Sequence, residues 1–503
     1  MSPLRILFIN PCLRKKAPTK ILPMGLAYVM TFAKEKGFAF DLLDVDIHEY
    51  DDTYVENFIR DNRYDVILYG SIVTHYKWIK WLTIVIKQHH PKTKIVVGNS
   101  VAGSCYEVFL KHAPADVAVI GEGEFTCMDV LDAFSAGEDL TKVYGIAYRD
   151  EKGNIVKNPP RVACDVAQLP LVDWSPFDVD RYVGAQRLLG MGKESGGGTI
   201  LSMPVSTARG CVFKCSFCHY VYWNDPYRHR PPAQVLREIK RNMGLYGANY
   251  VNFWDDLSFA SIVQVERMVD AILASGLKFD WMAAVRTDLF GNPRFSYERR
   301  LAVAEKMKKA GCQSLGFSLE SGNREILQMM NKKVEVDFFP EHVQILKKVG
   351  ITCNTSVVFG YPIETKETIK ETFDMCFENK IYPSIGFLLP LPYTGMYEYA
   401  KLHGYIKDED AFLTSITERQ DICLNMTKMT DTEIMDEIKK GARRLNELLN
   451  LGLTDQTFIK TGGYKKHTNI KKQLDPDRMK RIENDVSFNY AETQFEVDQG
   501  GKH

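Results

Sequence analysis

The chain has no excess of either charge: 64 Lys and Arg stand against 64 Asp and Glu among 503 residues, so the total carries no electrostatic footprint for nucleic acid. No stretch approaches 18 uninterrupted apolar residues, so no membrane-spanning helix is expected. The opening run, Met1-Ser-Pro-Leu-Arg-Ile-Leu-Phe-Ile-Asn10, is short, is cut off by Pro11 and lacks a signal-peptide cleavage pattern, so no secretory leader is expected. No internal repeat is evident. Nor is there a paired cysteine framework: the 11 cysteines, an odd number, scatter around one dense cluster, which points to a reducing compartment and a cytoplasmic location. What remains is the balance of an ordinary globular protein, 45% hydrophobic and 25% charged, in a chain long enough for about three domains.

The dense cluster is Ala208-Arg-Gly-Cys211-Val-Phe-Lys-Cys215-Ser-Phe-Cys218-His-Tyr220. A core has no need of three thiols so close together. Thiolates are soft ligands that select zinc, copper(I) or iron-sulfur clusters. A structural zinc site wants a fourth ligand, usually from a second Cys-x-x-Cys or His pair, and none follows at such spacing. His219 is the one neighbour of the right type, but adjacent residues rarely converge on one ion. Three thiolates on a short turn suit a four-iron cluster and leave one iron open to another ligand. A structural metal knuckle and clustered redox thiols are the competing readings.

Cys-x3-Cys-x-aromatic-Cys, with Phe217 as the aromatic, resembles the signature of radical S-adenosylmethionine (SAM) enzymes. The resemblance implies a [4Fe-4S] cluster on Cys211, Cys215 and Cys218, a free iron that chelates the amino and carboxylate groups of SAM, and reductive cleavage of SAM to a 5'-deoxyadenosyl radical.

Upstream, residues 1–135 alternate strand and helix, which argues for a Rossmann-like, doubly wound parallel sheet. Short apolar runs at 5–9, 40–44, 66–69, 94–97 and 117–120 read as buried strands. Ligands in such sheets sit beyond the carboxyl ends of the strands. The loops there are rich in small residues: Gly70-Ser71-Ile-Val-Thr74, Gly98-Asn99-Ser100 and Gly121-Glu122-Gly123-Glu124. The last is not a dinucleotide fingerprint, because Thr126 replaces the third glycine and the loop follows the fifth strand. A five-stranded domain ending in Gly-Glu-Gly-Glu ahead of the cysteine motif, with Pro23-Met24-Gly25-Leu26 after the first strand, resembles the cobalamin-binding domain of class B radical SAM enzymes. That likeness implies cobalamin held near Met24, Gly25, Ser71, Thr74, Gly98, Asn99, Gly121, Glu122, Gly123 and Glu124. The Asp-x-His-x-x-Gly of other cobalamin domains is missing, since Asp46-Ile-His48 follows the second strand and Asp51 stands in the glycine position; the lower cobalt ligand is left unassigned. A flavodoxin-like domain without a ligand is the competing reading.

Residues 136–195 read as a linker with a hairpin around Lys152-Gly-Asn154, then Pro159-Pro160, Leu169-Pro-Leu171 and Trp174-Ser-Pro176, with a flexible Ser195-Gly-Gly-Gly198 just before the cysteines. Over 196–395 the alternation resumes with six strands, at 202–207, 250–254, 279–285, 314–319, 352–359 and 384–389, enough for an open (β/α)6 partial TIM barrel. Functional groups in parallel barrels project from the carboxyl ends of strands. The first strand runs into the cysteine loop, the second into Asp255-Asp256, the third into Arg286-Thr-Asp288, the fourth into Glu320-Ser-Gly322 and the fifth into Gly360-Tyr-Pro-Ile-Glu364. An arginine suits the SAM carboxylate; the resemblance places Asp255 and Asp256 at the SAM amino group, Ser318 and Glu320 at the ribose and methionine portions, and Gly360 near adenine. Pro392-Tyr-Thr-Gly395 resembles the turn that closes such barrels. Residues 396–503 form a C-terminal helical region and polar tail, with Ile434, Ile438, Ala442 and Leu445 at helical spacing.

The expected activity is that of a cobalamin-dependent radical SAM enzyme, a C-methyltransferase working on an unactivated carbon through a 5'-deoxyadenosyl radical and methylcobalamin. Its expected partners are a small-molecule or lipid-like substrate and a reducing protein such as flavodoxin or ferredoxin. The rivals are cyclisation or rearrangement with the same cofactors, a non-enzymatic corrinoid or cluster carrier, and a methylthiotransferase. The last carries a second N-terminal cysteine trio, whereas Cys12 and Cys105 stand alone here.

Overall fold

The computed structural model describes residues 3–14, 20–186, 200–219, 225–417, 419–455 and 457–459. The glycine stretch 195–198, Tyr220 and the polar tail from 460 lie outside them.

The first sheet consists of β1 (Ile6–Asn10), β2 (Phe40–Asp44), β3 (Val66–Gly70), β4 (Lys94–Gly98), β5 (Val117–Val119), β6 (Ile146–Arg149) and β7 (Ile155–Lys157) in the order β2-β1-β3-β4-β5-β6-β7. The five leading strands are parallel and read as apolar runs because helices cover both faces. The order reverses between β1 and β3, and a crevice opens there at the carboxyl ends. Gly70 and Gly98 are ladder partners at that edge, and a Cβ on Gly70 would lie 2.5 Å from the Gly98 carbonyl oxygen, so only glycine fits.

The described part of the expected linker, residues 136–186, carries the expected hairpin but packs into the first domain. The hairpin β6–β7 pairs antiparallel onto β5 and extends the sheet. Trp174 and Tyr182 are fully buried in the same core. The Tyr182 hydroxyl donates to Asp44 Oδ2 at 2.9 Å and accepts from Asn10 Nδ2 at 2.9 Å, which ties helix Val179–Gln186 to the ends of β1 and β2. Proline-rich punctuation marks where a chain turns, not whether the turns pack.

The second sheet begins with β8 (Ser202–Val205). A short antiparallel pair, β9 (Ala208–Arg209) and β10 (Arg228–His229), forms the stem of the cysteine loop. The sheet continues through β11 (Tyr250–Phe253), β12 (Asp280–Ala284), β13 (Cys312–Glu320), β14 (Thr352–Phe359) and β15 (Ser384–Phe387). Its order, β15-β14-β13-β12-β11-β8, is sequential and wholly parallel, as right-handed β-α-β crossovers in a partial barrel require. The outward side chains form one apolar core with the surrounding helices. Helix Asp431–Leu449 lays Ile434, Ile438, Ala442 and Leu445 into that core, capped at its start by reciprocal Thr430 and Glu433 bonds. Helix Glu409–Ser415 instead reaches the first domain, where Lys80 and Tyr76 donate to Asp410 at 2.7 Å. Among the described residues no helix is long and apolar enough to cross a membrane.

Candidate active site

The cysteine loop leaves β9 through Gly210, at φ +83°, and is clamped from two sides. Ser216 N–H donates to the Met330 carbonyl at 2.7 Å, Asn331 Nδ2 donates to the Lys214 carbonyl at 2.6 Å, and Met396 N–H donates to the Ser216 carbonyl at 3.0 Å. Phe217 meets Tyr361 edge to face. Burial pushes the Cys211 thiol up to about 12, with Cys215 and Asp256 adding to the effect. Cys218 is raised by burial and by both other cysteines, so the three thiols share one environment. Lys332 opposes the rise at all three. Deprotonation of such thiols is linked to metal binding. His219 turns away: its Nε2 lies 2.6 Å from Ser104 Oγ in the first domain, and burial drops its pKa to about 3. The zinc reading thereby loses its fourth ligand.

At the end of β11 the two aspartates part company. Asp255 accepts from Thr207 N–H at 2.9 Å, Ala208 N–H at 3.1 Å, Ser206 Oγ at 3.0 Å and Thr207 Oγ1. Its carboxylate holds the segment that launches the cysteine loop. Asp256 is the one that acts electrostatically on Cys211 and Cys218. Arg286, expected to face a carboxylate of SAM, directs Nε and Nη2 at Asp288, each at 2.7 Å, and lies over the Phe213 ring of the cysteine loop. Ser318 Oγ accepts from Ser356 Oγ at 2.9 Å. Glu320 takes a left-handed φ of +63° and receives Lys332 Nζ at 3.1 Å.

Two further groups join the barrel mouth. Lys332 has no sequence pattern of its own; it is delivered by the turn after helix Arg324–Met329. Glu364, at the foot of the fifth strand's loop, accepts from Gly360 N–H at 3.3 Å and from Thr368 Oγ1, and burial lifts its pKa to about 7. The sequence already places Glu364 at the end of the fifth strand. Gly360 itself sits at φ +103°.

In the first domain Met24, Gly25, Ser71, Gly98, Asn99, Gly121, Glu122, Gly123 and Glu124 line one cavity of about 310 Å³ at the carboxyl ends of the strands. Thr74 does not; it lies on the turn Val73–His75, two residues past Ile72 in the wall. His48 also stands apart, its Nδ1 2.9 Å from Arg181 Nη1. The cavity does not stop at the domain boundary: Ser206, Arg209, Gly210, Trp254, Asp255 and Asp256 close its far side. One space is therefore bounded by the first sheet's loops and by the base of the cysteine loop. Residues 11–131 match the B12 binding domain, and residues 205–376 match the Radical SAM superfamily.

The chain belongs to the cobalamin-binding radical SAM enzymes. This radical SAM enzyme is 25% identical over 413 residues to an uncharacterized methyltransferase of Pyrococcus horikoshii, covering 80% of this chain and 84% of that one. It is 24% identical over 472 residues to an anaerobic magnesium-protoporphyrin IX monomethyl ester cyclase of Rubrivivax gelatinosus, covering 91% of this chain and 80% of that one. The solved structure of the cobalamin-dependent SAM radical enzyme OxsB, with aqua-cobalamin and SAM bound, shares its fold at a TM-score of 0.65 and 16% identity, over 99% of this chain and 72% of that one.

The cofactors of the enzyme are a [4Fe-4S] cluster, SAM and cobalamin. The residues present fit them. Three soft sulfur donors share one loop, and Lys332, from the turn after helix Arg324–Met329, is the cation that balances them. In the cavity, a Cβ added at Gly25 or Gly98 would meet nothing within 4 Å, which is the room a bulky flat ligand needs against the backbone.

Proposed function

We propose that this radical SAM enzyme is a C-methyltransferase acting on an unactivated carbon of a small-molecule or lipid-like substrate. The observation that carries the reading is the single cavity that runs from Gly98 and Gly121 to Asp255 and Asp256, so that a methyl donor and the radical site border one space. The match to a methyltransferase over 84% of that relative's length supports methyl transfer. When bound, the cluster with SAM supplies hydrogen abstraction and cobalamin supplies the methyl group. The protein's own share is positional: Cys211, Cys215 and Cys218 hold the cluster, Asp256 and Glu320 with Lys332 face SAM, and Phe217 and Gly360 border it. Met24, Gly25, Ser71, Asn99 and Gly123 hold the corrin. No side chain is assigned as a general acid or base.

Flavodoxin or ferredoxin serves as the reductant in this reading. No disulfide joins any of the cysteines among the described residues, which supports a reducing cytoplasm in this reading. The cyclase relative, matched over 91% of this chain, supports a second reading in which the same cofactors close a ring without methyl transfer. Candidate substrates incubated anaerobically with methyl-labelled SAM separate the two. Label in the product establishes methylation; turnover to an unlabelled product refutes it in favour of ring closure.

A further inference from the structure

Glu122 and Glu124 line the cavity, yet their carboxylates are directed at the cysteine loop's stem. Glu122 Oε1 accepts from Arg209 Nη1 and from Arg228 Nη2, both at 2.9 Å; Glu122 Oε2 accepts from Arg228 Nη1 at 3.1 Å and from Cys164 N–H at 2.8 Å. Glu124 accepts from Arg209 Nη2. The two arginines are ladder partners on β9 and β10, one on each strand of the stem. Arg228 Nη1 also donates to the Cys164 carbonyl at 2.6 Å, and the Arg209 guanidinium lies 5.1 Å from the Tyr28 ring centroid. Asp225 stands 3.9 Å from Arg228 at the edge of the group. All four central side chains are largely buried, between 5% and 17% exposed.

Buried ion pairs are weak stabilisers but geometrically demanding, because a shift of either partner strands a charge away from water. Both stem strands are tied to one carboxylate, and that carboxylate stands between Gly121 and Gly123 in the wall of the corrin cavity. We propose that Glu122, assisted by Glu124, is a positioning residue that fixes the height of the cysteine loop over the corrin by holding Arg209 and Arg228. The inference rests on the cobalamin and cluster assignments above. It makes the two carboxylates of the Gly-Glu-Gly-Glu loop a mechanical joint between two cofactors rather than ligands of one.

The test uses the full chain reconstituted with iron, sulfide and hydroxocobalamin, reduced to cob(II)alamin and the paramagnetic cluster, and measured by pulsed dipolar electron paramagnetic resonance. The wild type is expected to show one narrow cobalt-to-cluster distance distribution. Glu122→Gln keeps the shape and an oxygen but loses the charge, and Arg228→Gln breaks the same joint from the other side. In both, the distribution is expected to broaden by about twofold or more, as register is lost. Iron content stays unchanged, and cobalamin affinity moves by less than about threefold. Unchanged distributions in both variants overturn the proposal. So does a loss of affinity beyond about tenfold in Glu122→Gln alone, because that pattern marks a direct corrin ligand. A wild-type chain that takes up iron but no corrinoid overturns the cofactor assignment and the proposal together; failure of Glu122→Gln to fold leaves Arg228→Gln to decide by the same readout.

Discussion

Asp255→Ala removes the acceptor on which the entry to the cysteine loop is built. Two backbone donors, Thr207 N–H and Ala208 N–H, lose their partner in a site where Thr207 and Asp255 are 0% and 7% exposed respectively. A buried donor left without an acceptor costs about 1–3 kcal/mol. The hydroxyls of Ser206 and Thr207 rotate and recover part of their loss, Ser206 through the Ala208 carbonyl it already approaches at 3.1 Å. The local cost is then about 2–6 kcal/mol, carried by the two amides. Because it falls on the segment between β8 and β9, it loosens the cysteine loop before it unfolds the barrel. Hydrogen exchange on the cluster-free chain should show faster exchange over 206–210 while the β13 and β14 amides stay protected. Iron retained after reconstitution and desalting should fall by more than half. Native exchange over 206–210 together with full iron retention would refute the idea that Asp255 acts as the loop's anchor. Asp255→Asn should not rescue, since its amide group sets new donors against the existing ones.

Other perturbations follow from the same geometry. Gly441→Ala drives a Cβ to 2.2 Å from the Phe373 ring, so helix Asp431–Leu449 must shift, at a cost of about 1–3 kcal/mol; a lowered thermal midpoint, restored in part by adding Phe373→Leu, is the expected result. Glu364 has its pKa raised to about 7 from an ordinary 4.5, so the native state holds a proton that the unfolded state releases, and stability falls as pH rises between those values. Relative to Glu364→Gln, the wild type should therefore lose about 3 kcal/mol between pH 4.5 and pH 7, as read by urea unfolding of the SAM-free chain; a flat difference refutes the assignment. Gly98→Leu extends a side chain into open cavity space, so folding and iron content should survive while hydroxocobalamin affinity falls by about tenfold or more.

Strand positions were legible because parallel strands buried on both faces have to be apolar runs, and β3 and β4 lie within one residue of the positions read from sequence. The convergence of strand-end residues was legible for the same reason: a parallel sheet sends every carboxyl end to one side. What was not legible depends on distant partners. Nothing local to Glu122 reveals arginines 87 and 106 positions away. Nothing around Asp255 distinguishes it from Asp256, since only the fold shows that one faces Thr207 and the other the cysteines. Trp174 and Tyr182 read as parts of a linker because their prolines mask the apolar spacing, and Lys332 enters the site from a turn with no periodic signal.

The central claim is that one chain holds a cluster and a corrinoid on two walls of a shared cavity. The most direct measurement is anaerobic reconstitution with iron, sulfide and hydroxocobalamin, followed by desalting and metal analysis of the same sample for iron, cobalt and zinc. The account predicts about four irons and one cobalt per chain, with the iron lost and the cobalt kept on Cys218→Ala. Zinc in place of iron, or cobalt absent from an iron-loaded chain, would contradict it.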